Sequence, residues 1–257
     1  MSGLPSFSAG IFACIALLAG SPRHDAAARE LRVAFGQDKA PYLWSDDNNR
    51  VHGVEYEIFR SALGAAGDLV IPEALPNQRV VVSLNNPKYD VVSGVVTGQA
   101  GEAFYSDEYL TYVNVAVTRT SSNITLSQLS DILDHSVAIW QTGWEHLDLG
   151  RFRPEGPNES RYTEFTSQYQ QTKFFWAGRC EVTVIDKNIF LWYTRLISKN
   201  ADTSDLIVIH DILPRLRVRA AFRLRADRDD FNAGLKLLRA NGEYERIFAR
   251  YGLEPPD

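Results

Sequence analysis

Short apolar runs alternate with segments of helical spacing along most of the chain. Residues 31–35 (LRVAF), 89–96 (YDVVSGVV) and 182–185 (VTVI) predict strands, because apolar and β-branched residues follow one another without a helical period. Residues 54–63 and 189–197 place apolar side chains three or four positions apart, which predicts helices. The alternation of these two patterns predicts an α/β fold with mixed rather than purely parallel sheets.

The C-terminal part of the chain predicts two consecutive helices. Phe231, Leu235 and Leu238 share one face of the first helix, Gly242 follows its end, and residues 244–251 repeat the helical spacing with aromatic side chains. Residues 148–164, rich in Pro, Gly, Arg and Glu, predict a surface loop. Further strands are predicted at residues 69–71, 115–118, 136–140, 206–209 and 218–225, and further helices from Asn77, as an N-cap, and over residues 126–133.

The first 28 residues differ from the rest of the chain. Residues 10–19 (GIFACIALLA) form an unbroken small and apolar run, and small residues follow it at 26–28, which is typical of a secretory signal peptide. No Lys or Arg precedes the run, so the basic start of such a leader is absent. The alternatives are a hydrophobic N-terminus docked on the domain and a lipid-modified Cys14, while the run is shorter than the ~20 residues that span a bilayer. The prediction is export to the periplasm.

Composition excludes several classes of function. The 27 Lys and Arg residues against 32 Asp and Glu give a net charge of −5, which disfavours nucleic acid and anionic membranes as partners. Only Cys14 and Cys180 occur, so neither a disulfide framework nor a thiolate metal cluster is expected. The five histidines show no metal-binding spacing, and no nucleophile elbow, P-loop or dinucleotide motif is present. We therefore expect no metal, no cofactor and no catalytic residues.

Five fragments follow one another along the chain in a fixed order. They are residues 31–58 (LRVAF, Pro41-Tyr42 and then GVEYEI at 53–58), 88–92, 105–109, 177–186 and 237–252. The last fragment is the most specific, with its helix, Asn-Gly break, aromatic residue and second helix that closes on Tyr251 and Gly252. Together these fragments resemble the binding proteins of polar amino-acid ABC transporters, bacterial solute-binding protein family 3.

This resemblance implies a monomeric clamshell of two α/β lobes that are joined by two hinge crossings. Residues 29–114 and 220–257 would form the first lobe and residues 115–219 the second, with crossings near residues 112–117 and 217–222. A small polar solute would bind in the cleft between the lobes and favour the closed state.

Four side chains are implied as ligand contacts by their positions in the family pattern. Tyr42 and Trp44 resemble the aromatic wall of the family's site, Asn77 resembles a residue that presents its side chain to the ligand, and Asp186 matches the carboxylate that takes a ligand's ammonium group. Each has a structural alternative. The two aromatic residues would serve equally as core or hinge packing, and Asn77 and Asp186 as helix caps.

The segment Gln141, Thr142 and Gly143 is a further candidate contact on physical grounds. It lies between a predicted strand and a possible helix, so free backbone amides and the positive end of the helix dipole would suit a carboxylate. A simple turn is the alternative.

One departure from the family pattern changes the expected ligand. In the family, the strand after the Tyr-Asp motif leads through Gly and two threonines to an arginine that binds the ligand's α-carboxylate. Here Gly94 and Thr97 remain as candidate contacts, Val96 replaces the first threonine, and the arginine is missing. Arg79, in the helix opposite, is a candidate for a compensating guanidinium, with a surface or interlobe ion pair as its alternative. A standard α-amino acid is therefore not the default ligand.

Three functions remain open at this point. The first is a periplasmic solute-binding protein that is not an enzyme and that delivers a small polar solute to an ABC permease. The second is a sensor or orphan clamshell that signals to a membrane partner. The third is a periplasmic enzyme, because cyclohexadienyl dehydratases resemble these binders. Its acid would have to be Asp186 or Glu102.

Overall fold

The computed structural model describes residues 28–147 and 161–255. The predicted signal peptide lies outside the described residues apart from its last position, and so does most of the predicted loop, residues 148–160. The strands are β1 (Glu30–Gly36), β2 (Trp44–Ser45), β3 (Val51–His52), β4 (Leu69–Leu75), β5 (Val91–Val95), β6 (Phe104–Tyr105), β7 (Leu110–Tyr112), β8 (Asn114–Arg119), β9 (Val137–Trp140), β10 (Tyr162–Phe165), β11 (Val182–Asp186), β12 (Ile207–His210) and β13 (Leu216–Phe222). The helices are α1 (Val54–Gly64), α2 (Asn77–Val81), α3 (Gly143–His146), α4 (Gln168–Trp176), α5 (Lys187–Ile197), α6 (Arg225–Ala240) and α7 (Glu243–Arg250).

The first lobe is built on a mixed sheet with strand order β4-β1-β5-β13-β6. Strand β1 pairs in parallel with β4 and β5, whereas β13 pairs antiparallel with β5, β6 and β7. Helix α1 packs on α6 and α7. Gly234 allows the close approach of α6 to α1, since a Cβ there would lie 2.0 Å from the Ala62 carbonyl oxygen.

The second lobe is built on a mixed sheet with strand order β10-β9-β11-β8-β12. Strand β9 pairs in parallel with β10 and β11, and β8 pairs antiparallel with β11 and β12. Helices α4 and α5 pack on each other and on β11. The predicted α/β clamshell class with mixed sheets is confirmed.

The chain passes from one sheet to the other at two places. The first crossing is Val113, between β7 and β8, and the second is the segment between β12 and β13. The crossings lie side by side, because β7 pairs with the start of β13 through Thr111 and Arg217. Strand β13 belongs to the first sheet from Leu216 onward, four positions before the predicted lobe boundary at 220.

Several elements differ from the sequence prediction. Helix α4 was not predicted, because its sequence QYQQTKFFW lacks aliphatic residues at helical spacing. Strand β10 begins inside the predicted loop and ends one residue beyond it, and residues 129–134 form a 3₁₀ rather than an α-helix. Asn77 is the first residue of α2, not its N-cap, and the position before it is Pro76.

Among the described residues, no helix is both long and apolar enough to cross a membrane. The same residues contain no cluster of three or more His, Cys, Asp or Glu side chains that could hold a metal ion.

Candidate functional site

A cavity of about 70 Å³ lies between the two lobes. This volume is the space of roughly five to seven water-sized groups at 10–15 Å³ each. Its lining comes from the ends of strands in both sheets and from helices α2, α4 and α5. The lining residues are Gly36, Lys39, Asn77, Val80, Val81, Ser93, Gly94, Val95, Gln99, Tyr112, Asn114, Trp140, Gln168, Asp186, Ile189 and Leu216.

A buried ion pair forms the first-lobe wall of the cavity. Lys39, in the loop after β1, donates from Nζ to Glu55 Oε2 and to the Tyr112 hydroxyl, both at 3.1 Å. The Glu55 side chain is fully buried in the first turn of α1, and its second oxygen accepts a short hydrogen bond from the Tyr109 hydroxyl. Because the charges of Lys39 and Glu55 balance each other, this wall needs no charged ligand to neutralise it.

Gly94 is required where this wall meets the cavity. Its φ is 66°, in the left-handed region that side chains rarely adopt, and its N–H donates to the Tyr109 hydroxyl at 2.8 Å. A Cβ at this position would lie 3.3 Å from both Glu55 Oε1 and Lys39 Nζ. A side chain here would therefore crowd the ion pair.

Two buried polar atoms at the cavity lack a hydrogen-bond partner. Ser93, on β5 of the first lobe, is 1% exposed, and its Oγ makes no hydrogen bond. Asn114, the first residue of β8 in the second lobe, is 2% exposed, and its Nδ2 makes none. Buried polar groups are rarely left without a partner, since this costs about 1–3 kcal/mol each. Each lobe therefore contributes to this cavity one buried polar atom that has no hydrogen-bond partner.

Asp186 stands at the end of β11, and its carboxylate accepts three backbone hydrogen bonds. Oδ1 accepts hydrogen bonds from the backbone N–H groups of Asn188 and Ile189, which caps α5, and Oδ2 accepts one from Val113 N–H at the first crossing. Burial raises the pKa of Asp186 to about 6, and the hydrogen bonds from the backbone oppose the rise.

Next to the cavity, α5 of the second lobe packs on the loop after β1, and we call the contact of Tyr42 and Trp44 with Asn188 and Trp192 the interlobe junction. The Tyr42 hydroxyl accepts a hydrogen bond from Asn188 Nδ2 at 2.9 Å, and its ring lies 4.9 Å from that of Tyr112. The Trp44 ring lies 5.5 Å from that of Trp192. The junction thus combines one hydrogen bond with aromatic packing.

The structure brings three of the predicted contact residues to the cavity: Asn77, Gly94 and Asp186. Tyr42 and Trp44 lie in the interlobe junction instead, and Thr97 does not line the cavity. Arg79 is exposed and also lies off the cavity. Whether these residues contact a ligand stays a prediction.

The residues of the turn Gln141, Thr142 and Gly143 do not line the cavity, although the preceding Trp140 does. The Gln141 N–H donates to the Phe165 carbonyl at 2.8 Å, and the Thr142 N–H donates to a Glu164 carboxylate oxygen at 3.4 Å. Helix α3 has only four residues, so its dipole is small. Two of the three amides expected to suit a ligand carboxylate are therefore hydrogen-bonded within the protein, one of them to the carboxylate of Glu164.

Among the cavity residues that sequence reasoning missed are Lys39, Ser93, Tyr112 and Asn114. Lys39 is a single lysine in a loop and belongs to no motif. For Ser93 and Asn114 a signal existed, because each is a polar residue inside an otherwise apolar strand sequence, VVSGV and NVAVT. Such a residue is either paired inside the sheet or turned toward a site.

A family profile places the chain among known proteins. The profile described as bacterial extracellular solute-binding proteins, family 3, matches residues 31–254. No curated protein sequence matches the chain.

Solved structures show the same fold at low sequence identity. The chain is similar to a histidine kinase sensor domain with similarity to periplasmic binding proteins (TM-score 0.74, 21% identity, 89% of this chain and 99% of that one). It is also similar to a histidine-bound substrate-binding protein of an ABC uptake transporter from Streptococcus pneumoniae (TM-score 0.71, 13% identity, 88% and 94%). A third is an ancestral amino-acid-binding protein, a precursor of cyclohexadienyl dehydratase (TM-score 0.68, 16% identity, 86% and 95%). The predicted family is confirmed by the profile match: this chain belongs to the bacterial extracellular solute-binding proteins, family 3.

Proposed function

We propose that the protein captures one small polar solute in the cavity between its lobes and does no chemistry on it. The observation that carries this proposal is the pair of unpartnered buried groups, Ser93 Oγ and Asn114 Nδ2. They come from different lobes and line the same cavity. A solute that hydrogen-bonds to both would remove the cost of leaving them unpaired and would hold the lobes together.

The two candidate acids, Asp186 and Glu102, favour binding over catalysis. Asp186 accepts hydrogen bonds from three backbone N–H groups, so most of its acceptor positions serve the fold rather than a substrate. Glu102 is exposed and does not line the cavity. Binding without turnover is therefore the function we propose, in the periplasm and in the service of an ABC importer.

A sensor is the second candidate. The similarity to a histidine kinase sensor domain covers nearly all of both chains, and a closing clamshell would serve signalling as well as uptake. The two candidates share the cavity and differ in the membrane partner. Pull-down of the purified protein with candidate permeases and sensor kinases from the same genome separates them.

The test of the shared claim is a thermal-shift screen of the chain from Ala26 onward against small polar metabolites. A cavity ligand at about 100 times its dissociation constant stabilises the folded protein by about 2.7 kcal/mol. We expect Ser93→Ala or Asn114→Ala to raise the dissociation constant of a hit roughly three- to tenfold, since each removes one hydrogen bond.

The matched controls are Ser198→Ala and Asn200→Ala, which remove the same groups from exposed positions outside the cavity. Affinity should be unchanged in both. A screen without any hit, or a hit equally strong in the Ser93 and Asn114 variants, would contradict the proposed function.

A further inference from the structure

The cavity between the lobes is small for a ligand site. Its volume is about 70 Å³, whereas an apolar cavity of about 150 Å³ accommodates one benzene ring. Buried apolar side chains line it from both lobes, Val80 and Val95 from the first lobe and Trp140 and Ile189 from the second. A solute that carries an aromatic ring would therefore need these walls to move apart.

One segment of each lobe both lines the cavity and forms the interlobe junction. In the loop after β1, Lys39 lines the cavity and Tyr42 lies in the junction. In α5, Ile189 lines the cavity, and Asn188, the residue before it, donates a hydrogen bond to Tyr42. The contacts of the junction are therefore placed to set the width of the cavity.

The loop after β1 is a tight turn that links its cavity residue to its junction residue. The carbonyl oxygen of Lys39 accepts a hydrogen bond from Tyr42 N–H at 2.8 Å, and Lys39 N–H donates to the Leu43 carbonyl at 2.9 Å. These two bonds close the turn, so a displacement of Lys39 away from the cavity also displaces Tyr42.

The start of α5 is held in the same way on the side of the second lobe. Lys187 N–H donates to the carbonyl oxygen of Val113, in the first crossing, at 2.9 Å. Asn188 and Ile189 are neighbours in the first turn of the helix, so they move together. Moving Ile189 away from the first lobe would thus break the hydrogen bond between Asn188 and Tyr42.

Building on the proposed function, we infer that the interlobe junction limits the bulk of the solute. The cavity takes compact acyclic solutes, of about the size of a three-carbon amino or hydroxy compound, and excludes solutes that carry an aromatic ring. The limit comes from the width of the cavity, so it holds for solutes of any charge. In an open cleft, an added ring would instead strengthen binding, because it buries apolar surface.

Calorimetric titration with four pairs of compounds tests this limit. The two members of a pair have the same charge and differ by one phenyl ring on the same carbon. The pairs are L-alanine and L-phenylalanine, L-lactate and L-phenyllactate, L-lactamide and L-phenyllactamide, and L-alaninamide and L-phenylalaninamide. We expect the compact member of at least one pair to bind, and its phenyl counterpart to bind about tenfold more weakly or worse, because the ring overfills the cavity.

A phenyl compound that binds as tightly as its compact counterpart would overturn the inference and leave the proposed function standing. A thermal-shift screen whose hits are all as large as L-phenylalanine or larger would do the same. A compact hit that comes only from the screen is compared with its own phenyl derivative in the same titration. If no compound binds in either experiment, the inference and the proposed function both fail.

Two variants test whether the junction sets the limit. Asn188 and Tyr42 do not line the cavity, so they would act on size preference as positioning residues. Asn188→Ala removes their hydrogen bond from one side, and Tyr42→Phe removes it from the other while keeping the ring. In each variant we expect the ratio of the two dissociation constants of a pair, phenyl over compact, to fall about threefold or more.

Asn200→Ala is the matched control, because it removes the same side chain from an exposed position outside the cavity. Its ratio should equal that of the wild type. A ratio that either junction variant leaves unchanged, or that falls equally in Asn200→Ala, would show that the junction does not set the width of the cavity, and the inference fails.

Discussion

The interlobe junction and the cavity are neighbouring contacts between the same two lobes, yet only one of them is complete. In the junction, Tyr42 is fully buried and hydrogen-bonded to Asn188, and Trp44 packs on Trp192. In the cavity, Ser93 and Asn114 are as deeply buried and have unpaired atoms. Some of the contacts between the lobes are therefore complete within the protein, whereas those at the cavity require a ligand. Three experiments test this contrast.

The largest effect on stability is expected from Tyr42→Ala, which removes an aromatic ring from the interlobe junction. Truncating a fully buried aromatic side chain leaves a void, and we expect the free energy of unfolding to fall by about 3–5 kcal/mol in urea denaturation. Tyr42→Phe removes only the hydroxyl and should cost about 1–3 kcal/mol, because the Asn188 amide loses its acceptor.

Leu206→Ala is the control for truncation, because this side chain is 73% exposed and its loss should change stability by less than about 0.5 kcal/mol. A Tyr42→Ala protein as stable as this control would show that the junction does not hold the lobes.

The second effect is a pH dependence centred on Asp186, between the junction and the cavity. Burial raises its pKa from 3.8 to about 6. Between pH 3.8 and about pH 6 the folded protein keeps a proton that the unfolded chain has released. Raising the pH through this range therefore lowers the free energy of unfolding, by a total on the order of 3 kcal/mol. Above a pH of about 6, the Asp186 carboxylate is ionised in both states and lowers the free energy of unfolding no further.

Urea denaturation of the wild type and Asp186→Asn from about pH 3.5 to about pH 7.5 measures this effect. The variant has no titrating group at this position, so its stability should lack the descent. Parallel curves for the two proteins would mean that Asp186 ionises as easily in the fold as in the unfolded chain.

The smallest effect separates two serines with the same burial, Ser93 and Ser106, both 1% exposed. Ser106 Oγ donates to the Asp107 carbonyl and accepts from Ala220 N–H, so Ser106→Ala should cost about 1–3 kcal/mol. Ser93 Oγ has no partner, so Ser93→Ala should be neutral or slightly stabilising without ligand. Equal losses would contradict the view of the cavity as incomplete.

The sequence predicted the strands and helices whose periodicity is set by core packing, such as β1, α5 and the pair α6 and α7. It failed at α4, where Gln171 is fully buried and hydrogen-bonds to β9 and β11, so that a polar residue occupies a core position. A pattern of hydrophobic residues cannot predict a helix whose core contact is a buried amide side chain.

The site was harder to predict than the fold, because its residues are distant in the sequence and come together only in the folded chain. Lys39 and Glu55 lie 16 positions apart, and Ser93 and Asn114 belong to different sheets. The family resemblance pointed to Asn77, Gly94 and Asp186, which do line the cavity. It could not show that Asp186 is occupied by backbone donors, since that depends on how β11 meets α5 and the first crossing.

The central claim is that a solute bridges the lobes at Ser93 and Asn114, and NMR of the Asn114 side-chain amide tests it most directly. The protein is labelled with nitrogen-15 and titrated with the compound that gives the largest thermal shift. We predict that the Asn114 side-chain NH₂ and Ser93 backbone resonances move together on binding, while the backbone amide of Thr142, outside the cavity, stays in place. Saturable binding that leaves the Asn114 and Ser93 signals unmoved would contradict the account.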